Sequence, residues 1–136
     1  MNALVKKLMS TANAVHVALY RRTGGRRFNR IKGCPVCLLT VAGRKTGTRR
    51  TTPVVYFERD GAWLVIGSAG GAKVEPQWFR NLRSANRATL KIGDQTDEVA
   101  VRITDGEERH ALWAWVVEQA PFFDGYPIAV LTATTT

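Results

Sequence analysis

Acidic residues are missing from the first 57 positions: Glu58 is the first of them, after twelve lysines and arginines. From Glu58 onward eight basic residues stand against eleven acidic ones, so the net charge of +9 comes from the N-terminal part of the chain. A uniformly basic coat would suggest general adhesion to nucleic acid. A basic first third fits a localised anion site better, so no nucleic acid is expected as a partner. Long apolar runs are also missing, and none approaches the ~18 residues of a membrane span. Lys6 and Lys7 are not followed by a long apolar stretch with a small-residue cleavage site, so a cytoplasmic protein is expected. No Gly-x-Gly-x-x-Gly follows a strand pattern, which leaves a Rossmann dinucleotide site unsupported.

Cysteine and histidine are scarce, with two of each. Cys34-Pro35-Val36-Cys37 has the spacing of a redox or zinc motif. A thioredoxin-like pair should open a helix, however, and this one leads into the apolar run Leu38-Leu39-Thr40-Val41. Zinc would need a second ligand pair, and His16 and His110 lie far off at unrelated spacing. The expectation is no metal, with the thiols acting as packing groups.

What the chain does have is concentrated in Gly43-Arg44-Lys45-Thr46-Gly47-Thr48-Arg49-Arg50-Thr51-Thr52-Pro53. This stretch separates the apolar runs 37–42 and 54–57 and reads as a glycine-pinned connection between strands. It holds four cations, four hydroxyls and no acid. Gly43 and Gly47 allow backbone N–H groups to approach a ligand, and Arg44, Lys45, Arg49 and Arg50 can neutralise several negative charges at once. The stretch is expected to seat a poly-anionic small molecule; the plain alternative is a solvated basic hairpin. A Walker P-loop would need a glycine directly before Lys-Thr and a helix after it, and neither is present.

A chain of 136 residues reads as one domain, large enough for one real core. Leu4, Leu8, Ala12, Val15 and Leu19 recur at helical steps, so the spacing predicts an amphipathic helix over 1–20. Residues 21–33 read as a basic linker that could also serve as a phosphate-touching arm or a membrane-surface tether. Strands are expected at 54–58 and 62–66, turned by Asp60-Gly61, and the small-residue loop Gly67-Ser68-Ala69-Gly70-Gly71-Ala72 gives a flat ligand room. Pro76 opens a helix to about 84, and 88–92 with 98–103 form a hairpin. Thr104 and Glu107 suggest a capping box for a helix over 107–119, with His110 and Trp115 near its surface. A final strand falls near 128–132. Mostly antiparallel strands with few helices imply a mainly β fold with flanking helices (α+β), a small curled or barrel-like sheet over 34–136.

Three motifs now stand in one order: Gly43-Arg44-Lys45-Thr46-Gly47 with Arg50, Ser68-Ala69-Gly70-Gly71, and Pro76-Gln77-Trp78-Phe79-Arg80-Asn81-Leu82. Together they resemble the deazaflavin-dependent nitroreductase family of actinobacteria, within the split β-barrel, FMN-binding-like group of oxidoreductases. Asn13-Ala14-Val15-His16 and Glu107-Glu108-Arg109 add to the likeness, which covers nearly the whole chain. The resemblance implies the cofactor F420, whose phosphate and oligoglutamate tail would pair with Arg44, Lys45 and Arg50, with short hydrogen bonds from Thr46 and Gly47. It places Pro53 and Val54 near the ring, runs Ile66, Gly67, Ser68, Ala69, Gly70 and Gly71 along its edge, and closes that side with Trp78 and Asn81. The implied activity is hydride transfer from reduced deazaflavin to an electron-poor acceptor: a quinone, an enone or an activated nitro compound. Tyr126, with Ser68 or Tyr56, would hydrogen-bond the acceptor oxygen.

The departures concern the acceptor side. Family members active on nitroimidazoles and quinones carry a Tyr-x-x-Tyr-x-x-Tyr pattern, and the matching positions here are Ala120, Phe123 and Tyr126. Ala69 stands where relatives often have lysine. Other readings remain: a non-catalytic F420 carrier, an FMN-binding reductase, or a basic N-terminal third that makes a peripheral membrane contact. A homodimer is also open, since small barrels of this group often pair.

Overall fold

The computed structural model describes residues 3–31, 33–67, 75–120 and 127–134. Within them three helices, α1 (Ala3–Arg22), α2 (Gln77–Ser84) and α3 (Gly106–Gln119), accompany seven strands. The strands are β1 (Arg30–Ile31), β2 (Cys34–Ala42), β3 (Arg49–Arg59), β4 (Ala62–Ile66), β5 (Arg87–Ile92), β6 (Gln95–Ile103) and β7 (Ile128–Ala133). β3 starts well before the expected position 54, because Arg49 pairs with Ala42 and Arg50 with Val41. The basic connection 43–53 is thereby shortened to a turn over 43–48, and the β-branched Thr51 and Thr52 are strand residues. The segment 21–33 differs from a plain linker. Arg21 and Arg22 finish α1, Gly24 and Gly25 leave it in the left-handed region (φ 62 and 74), and Ile31 pairs with Cys34.

β2 is hydrogen-bonded to β3 on one edge and to β5 on the other, so the order β1-β2-β3-β4-β7-β6-β5 closes on itself. The result is a six-stranded antiparallel barrel with the short β1 on the start of β2, the split-barrel architecture expected. Alternation along the pleat sorts the side chains. Cys37, Leu39 and Val41 face inward with Val54, Val65 and Leu90. Cys34, Val36, Val55, Phe57 and Leu64 face outward, where Val116 of α3 and Ala120, the residue after it, cover them. Cys34 and Cys37 thus sit in separate clusters on opposite faces, both buried and both free thiols. Two such sulfurs cannot meet at one disulfide or one metal without moving the strand.

Each helix has a distinct place. α2 inserts Phe79 and Leu82 into the interior cluster. Arg83 fixes it by stacking over Phe79 at 5.1 Å and bonding Glu75 at 2.5 Å. The end of β4 fits against it closely: a Cβ on Gly67 would lie 2.7 Å from Pro127 Cγ and 2.9 Å from Phe79 Cδ2. At α3 the expected capping box is not formed. Asp105 is the N-cap, and the buried Thr104 hydroxyl donates instead to Ile128 O at 2.8 Å, tying the helix start to β7. Trp115, expected near the surface, is half-buried, edge-on to Phe57 at 5.9 Å with Arg59 over its ring. α1 touches the barrel through Val17 and Tyr20, which pack with Leu38; the Tyr20 hydroxyl accepts from Gly93 N at 2.8 Å. Its periodic leucines point elsewhere: Leu4 and Leu8 are exposed.

Burial raises the pKa of Cys37 strongly and those of Cys34, Tyr20 and Tyr56 as well, with desolvation the largest cause in each case. The ordinary values are 9.0 for the thiols and 10.0 for the phenols. Above those values the unfolded chain releases protons that the native state keeps, so the stability these groups contribute is whole below about pH 9 and falls as pH rises. Urea midpoints measured from neutral to alkaline pH are expected to fall above about pH 9, less steeply in Cys37→Ala. An unchanged midpoint through that range would contradict the assignment. Gly67→Ala is expected to lower stability by about 1–3 kcal/mol through overpacking against Phe79 and Pro127, read as a drop in Tm.

Candidate functional site

Strand direction gathers the candidate residues at one end of the barrel. β2 and β4 run the same way, since each is antiparallel to β3, so the 43–48 turn and the exit of β4 at Gly67 share an end. The start of β7 reaches the same end, because Ile66 pairs with Ile128 and Gly67 N donates to Pro127 O at 2.8 Å. α2 completes the group, since Arg44 in the turn bonds directly to it. Ser68, Ala69, Gly70, Gly71, Phe123 and Tyr126 lie outside the described residues, but the chain positions that lead into both segments are here.

Arg44 is the best-defined cation of the group. Its backbone N–H and its Nη1 both donate to Asn81 Oδ1, at 3.1 and 2.7 Å, and its Nη2 donates to Gln77 Oε1 at 2.8 Å. Asn81 is 8% exposed, so a buried amide anchors an exposed guanidinium. Both acceptors are neutral. They fix the direction of the side chain without cancelling its charge, and they leave further N–H donors of the fork unused. The side chains of Lys45 and Arg50 make no hydrogen bond or ion pair among the described residues. The pleat puts Arg50 on the interior side of β3 with Thr52, Val54 and Tyr56.

Several sequence expectations change here. Arg49 points to the opposite face, where its Nη2 donates to Thr89 Oγ1 at 2.6 Å and that hydroxyl donates to Glu98 Oε1 at 2.6 Å. It cannot join Arg44, Lys45 and Arg50 around one ligand. The backbone cradle is largely self-satisfied as well. Gly43 N bonds Thr48 O and Gly47 N bonds Gly43 O, both at 2.8 Å, while Thr48 N reaches Thr46 Oγ1 at 3.3 Å. Gly47 is needed for its left-handed φ of 76, and its N–H does not face a ligand. Asn81, expected to close the side of a ring, holds Arg44. Pro53 is paired with Leu38 and Ile66 belongs to the outer cluster, so their side chains point away from the interior. Val54 is 4% exposed within the core, and Ala120 at 1% is packed beneath α3.

The interior side keeps Tyr56 and Trp78, both half-buried against the core cluster, with Trp78 edge-on to Phe79 at 5.5 Å. Burial holds the Tyr56 phenol above its ordinary pKa, so near neutral pH it is a proton-bearing hydrogen-bond donor. Gln77 was not picked out from sequence. The signal was available, because Gln77 and Asn81 are four apart on one helix and so share a face. Arg44, held by neutral amides on the helix that carries the half-buried Trp78, can take part in holding a ligand with an anionic tail and a flat apolar body.

Comparisons with known proteins identify the family. The family model described as F420H(2)-dependent quinone reductase matches residues 13–134. An F420H(2)-dependent quinone reductase of Mycobacterium tuberculosis is 38% identical over 80 residues, 58% of this chain. The matched stretch is 54% of that relative, so the chain spans about half the length of the curated relative it matches. Among solved structures, the F420-H2 dependent reductase FDR-A superposes with a TM-score of 0.62 at 27% identity, covering 71% of this chain and 93% of that one. A chain described as a domain-swapped dimer gives 0.63 at 25% identity, covering 86% and 96%. With the family match extending over nearly its whole length, the barrel and its basic turn place this chain in the F420H(2)-dependent quinone reductase family.

Proposed function

We propose that the chain is an F420-dependent oxidoreductase that reduces a small electron-poor acceptor, a quinone in the first place and an enone or activated nitro compound by the same chemistry. The observation that carries this reading is the Arg44 fork, held by the neutral amides of Asn81 and Gln77 with its charge intact. Arg44, Lys45 and Arg50 would take the acidic tail. Trp78 and Tyr56 would border the ring, with the backbone of Gly67, Ser68, Ala69, Gly70 and Gly71 along its edge. When bound in its reduced form, the deazaflavin supplies a hydride. The protein's part is binding and orientation: the turn and α2 fix the tail, and the apolar interior side excludes water. The protonated Tyr56 phenol, with Ser68 or Tyr126, would donate to the acceptor oxygen as negative charge develops there. The family name and the likeness to FDR-A support the cofactor. The neighbour described as a domain-swapped dimer supports a homodimer for this chain too.

Titration with oxidised F420 tests the reading. Arg44→Ala with Lys45→Ala is expected to weaken binding at least tenfold while the circular-dichroism spectrum stays native, with a lowered Tm because the bonds to Asn81 and Gln77 are lost; hydrogen bonds to charged groups contribute about 1.5–3 kcal/mol each. FMN, which lacks the oligoglutamate tail, should bind more weakly than F420 and respond less to the same pair. Equal responses would point to FMN. Asn81→Asp sharpens the electrostatic point, because it keeps an acceptor near Arg44 but adds a negative charge. It should weaken F420 binding about as much as losing Arg44, whereas a merely structural Asn81 would tolerate it. With reduced F420 and menadione the native chain is expected to turn over, and tight binding without turnover against a panel of acceptors would make it a carrier instead.

A further inference from the structure

α2 has little of its own to hold it. It is eight residues long, its N-cap Pro76 makes no side-chain cap bond, and its first turn carries no acid. Isolated helices of this length are marginal in water, so contacts from outside fix the first turn. Gln77 is the first helical residue, where helices fray, and its amide oxygen is one of the two that hold the Arg44 guanidinium. The direction of that guanidinium therefore depends on whatever keeps the first turn in place.

Glu75 and Arg83 do this from the opposite flank. At about 100° per residue Gln77 and Asn81 lie about 40° apart, and Arg83 lies about 120–160° from them. Phe79 and Leu82 occupy the buried side between the two flanks. Glu75 stands one position before the N-cap, and Arg83 Nε donates to its Oε1 at 2.5 Å across eight positions of sequence. The arginine runs back toward the start of the helix, as helical side chains do. On the way its guanidinium lies over Phe79, 5.1 Å from the ring centre. Phe79 is fully buried, edge-on to Trp78 and in close contact with Gly67. One side chain thus ties the entering chain, the first turn and a core ring together. We propose that Glu75 and Arg83 are a positioning pair: they hold the first turn of α2 so that Gln77 and Asn81 keep Arg44 aimed at its ligand. Neither is placed against that ligand; each acts through Arg44. The ligand is the F420 of the function proposed above, and the hold on Arg44 stands without it.

A double-mutant cycle read by titration with oxidised F420 tests the pair. Glu75→Gln and Arg83→Gln are each expected to raise the Kd about three- to fivefold. Arg83→Lys keeps a charge opposite Glu75 and is expected to stay within about twofold of the native chain. In an Arg44→Ala background Glu75→Gln should have no further effect, whereas a merely structural role would add the same loss in both backgrounds. A partly exposed ion pair contributes little to global stability, so melting curves should nearly match the native chain. NMR of the free chain separates this from the cofactor reading: the Gln77 side-chain amide and Arg44 Nε–H signals are expected to shift or broaden in Glu75→Gln. Unchanged signals, unchanged affinity in the Gln variants, or additive losses in the cycle would overturn the proposal. Shifted signals in a chain that binds no F420 would uphold the pair and remove the cofactor reading instead.

Discussion

The double pairing of β2 is the constraint on which the rest of this molecule depends. Its residues 38–40 are hydrogen-bonded to β5 while the same stretch is paired to β3, and that closure turns a seven-stranded ribbon into a barrel with an inside and an outside. Once closed, the barrel leaves no freedom in which face a side chain takes, because a shift of one residue would carry Cys37, Leu39 and Val41 out of the core together. The β-branched and aromatic residues along these strands are what such a half-buried, curved surface accepts.

Closure also decides what the basic stretch can do. By sequence Arg44, Lys45, Arg49 and Arg50 form one positive cluster, but the pleat divides it. Arg50 is on the interior side, and Arg49 is turned to the Thr89 hydroxyl of β5, which in turn donates to the Glu98 carboxylate of β6. Arg44 meets α2, whose amides orient it without neutralising it. A carboxylate in the place of Asn81 would have held the guanidinium more strongly and left little charge for a ligand. The neutral anchor favours binding over self-satisfaction.

The same separation of faces leaves two positive regions with different characters. The turn at the barrel end holds one fixed cation, Arg44, against the helix that carries the half-buried Trp78. The α1 region combines loosely disposed cations with exposed leucines and an exposed phenylalanine, which suits an extended amphipathic surface.

The chain itself determined a good deal. The periods of its apolar residues located nearly every strand and all three helices, Asp60-Gly61 fixed a hairpin turn, and the density of cations marked the 43–48 turn. These are local properties, set by φ/ψ preference and by side-chain spacing along one element. Tertiary structure alone decided which way each marked side chain would point and what would claim it. Asn81 holds Arg44 across thirty-seven positions of sequence. Thr104 bonds β7 instead of capping its helix, and Leu4 and Leu8 of α1 are exposed although their spacing is that of a buried stripe. The physical reason is that a hydrogen bond or a packed contact between distant segments exists only after the barrel closes, and periodicity says that a helix has an apolar side without saying what will cover it.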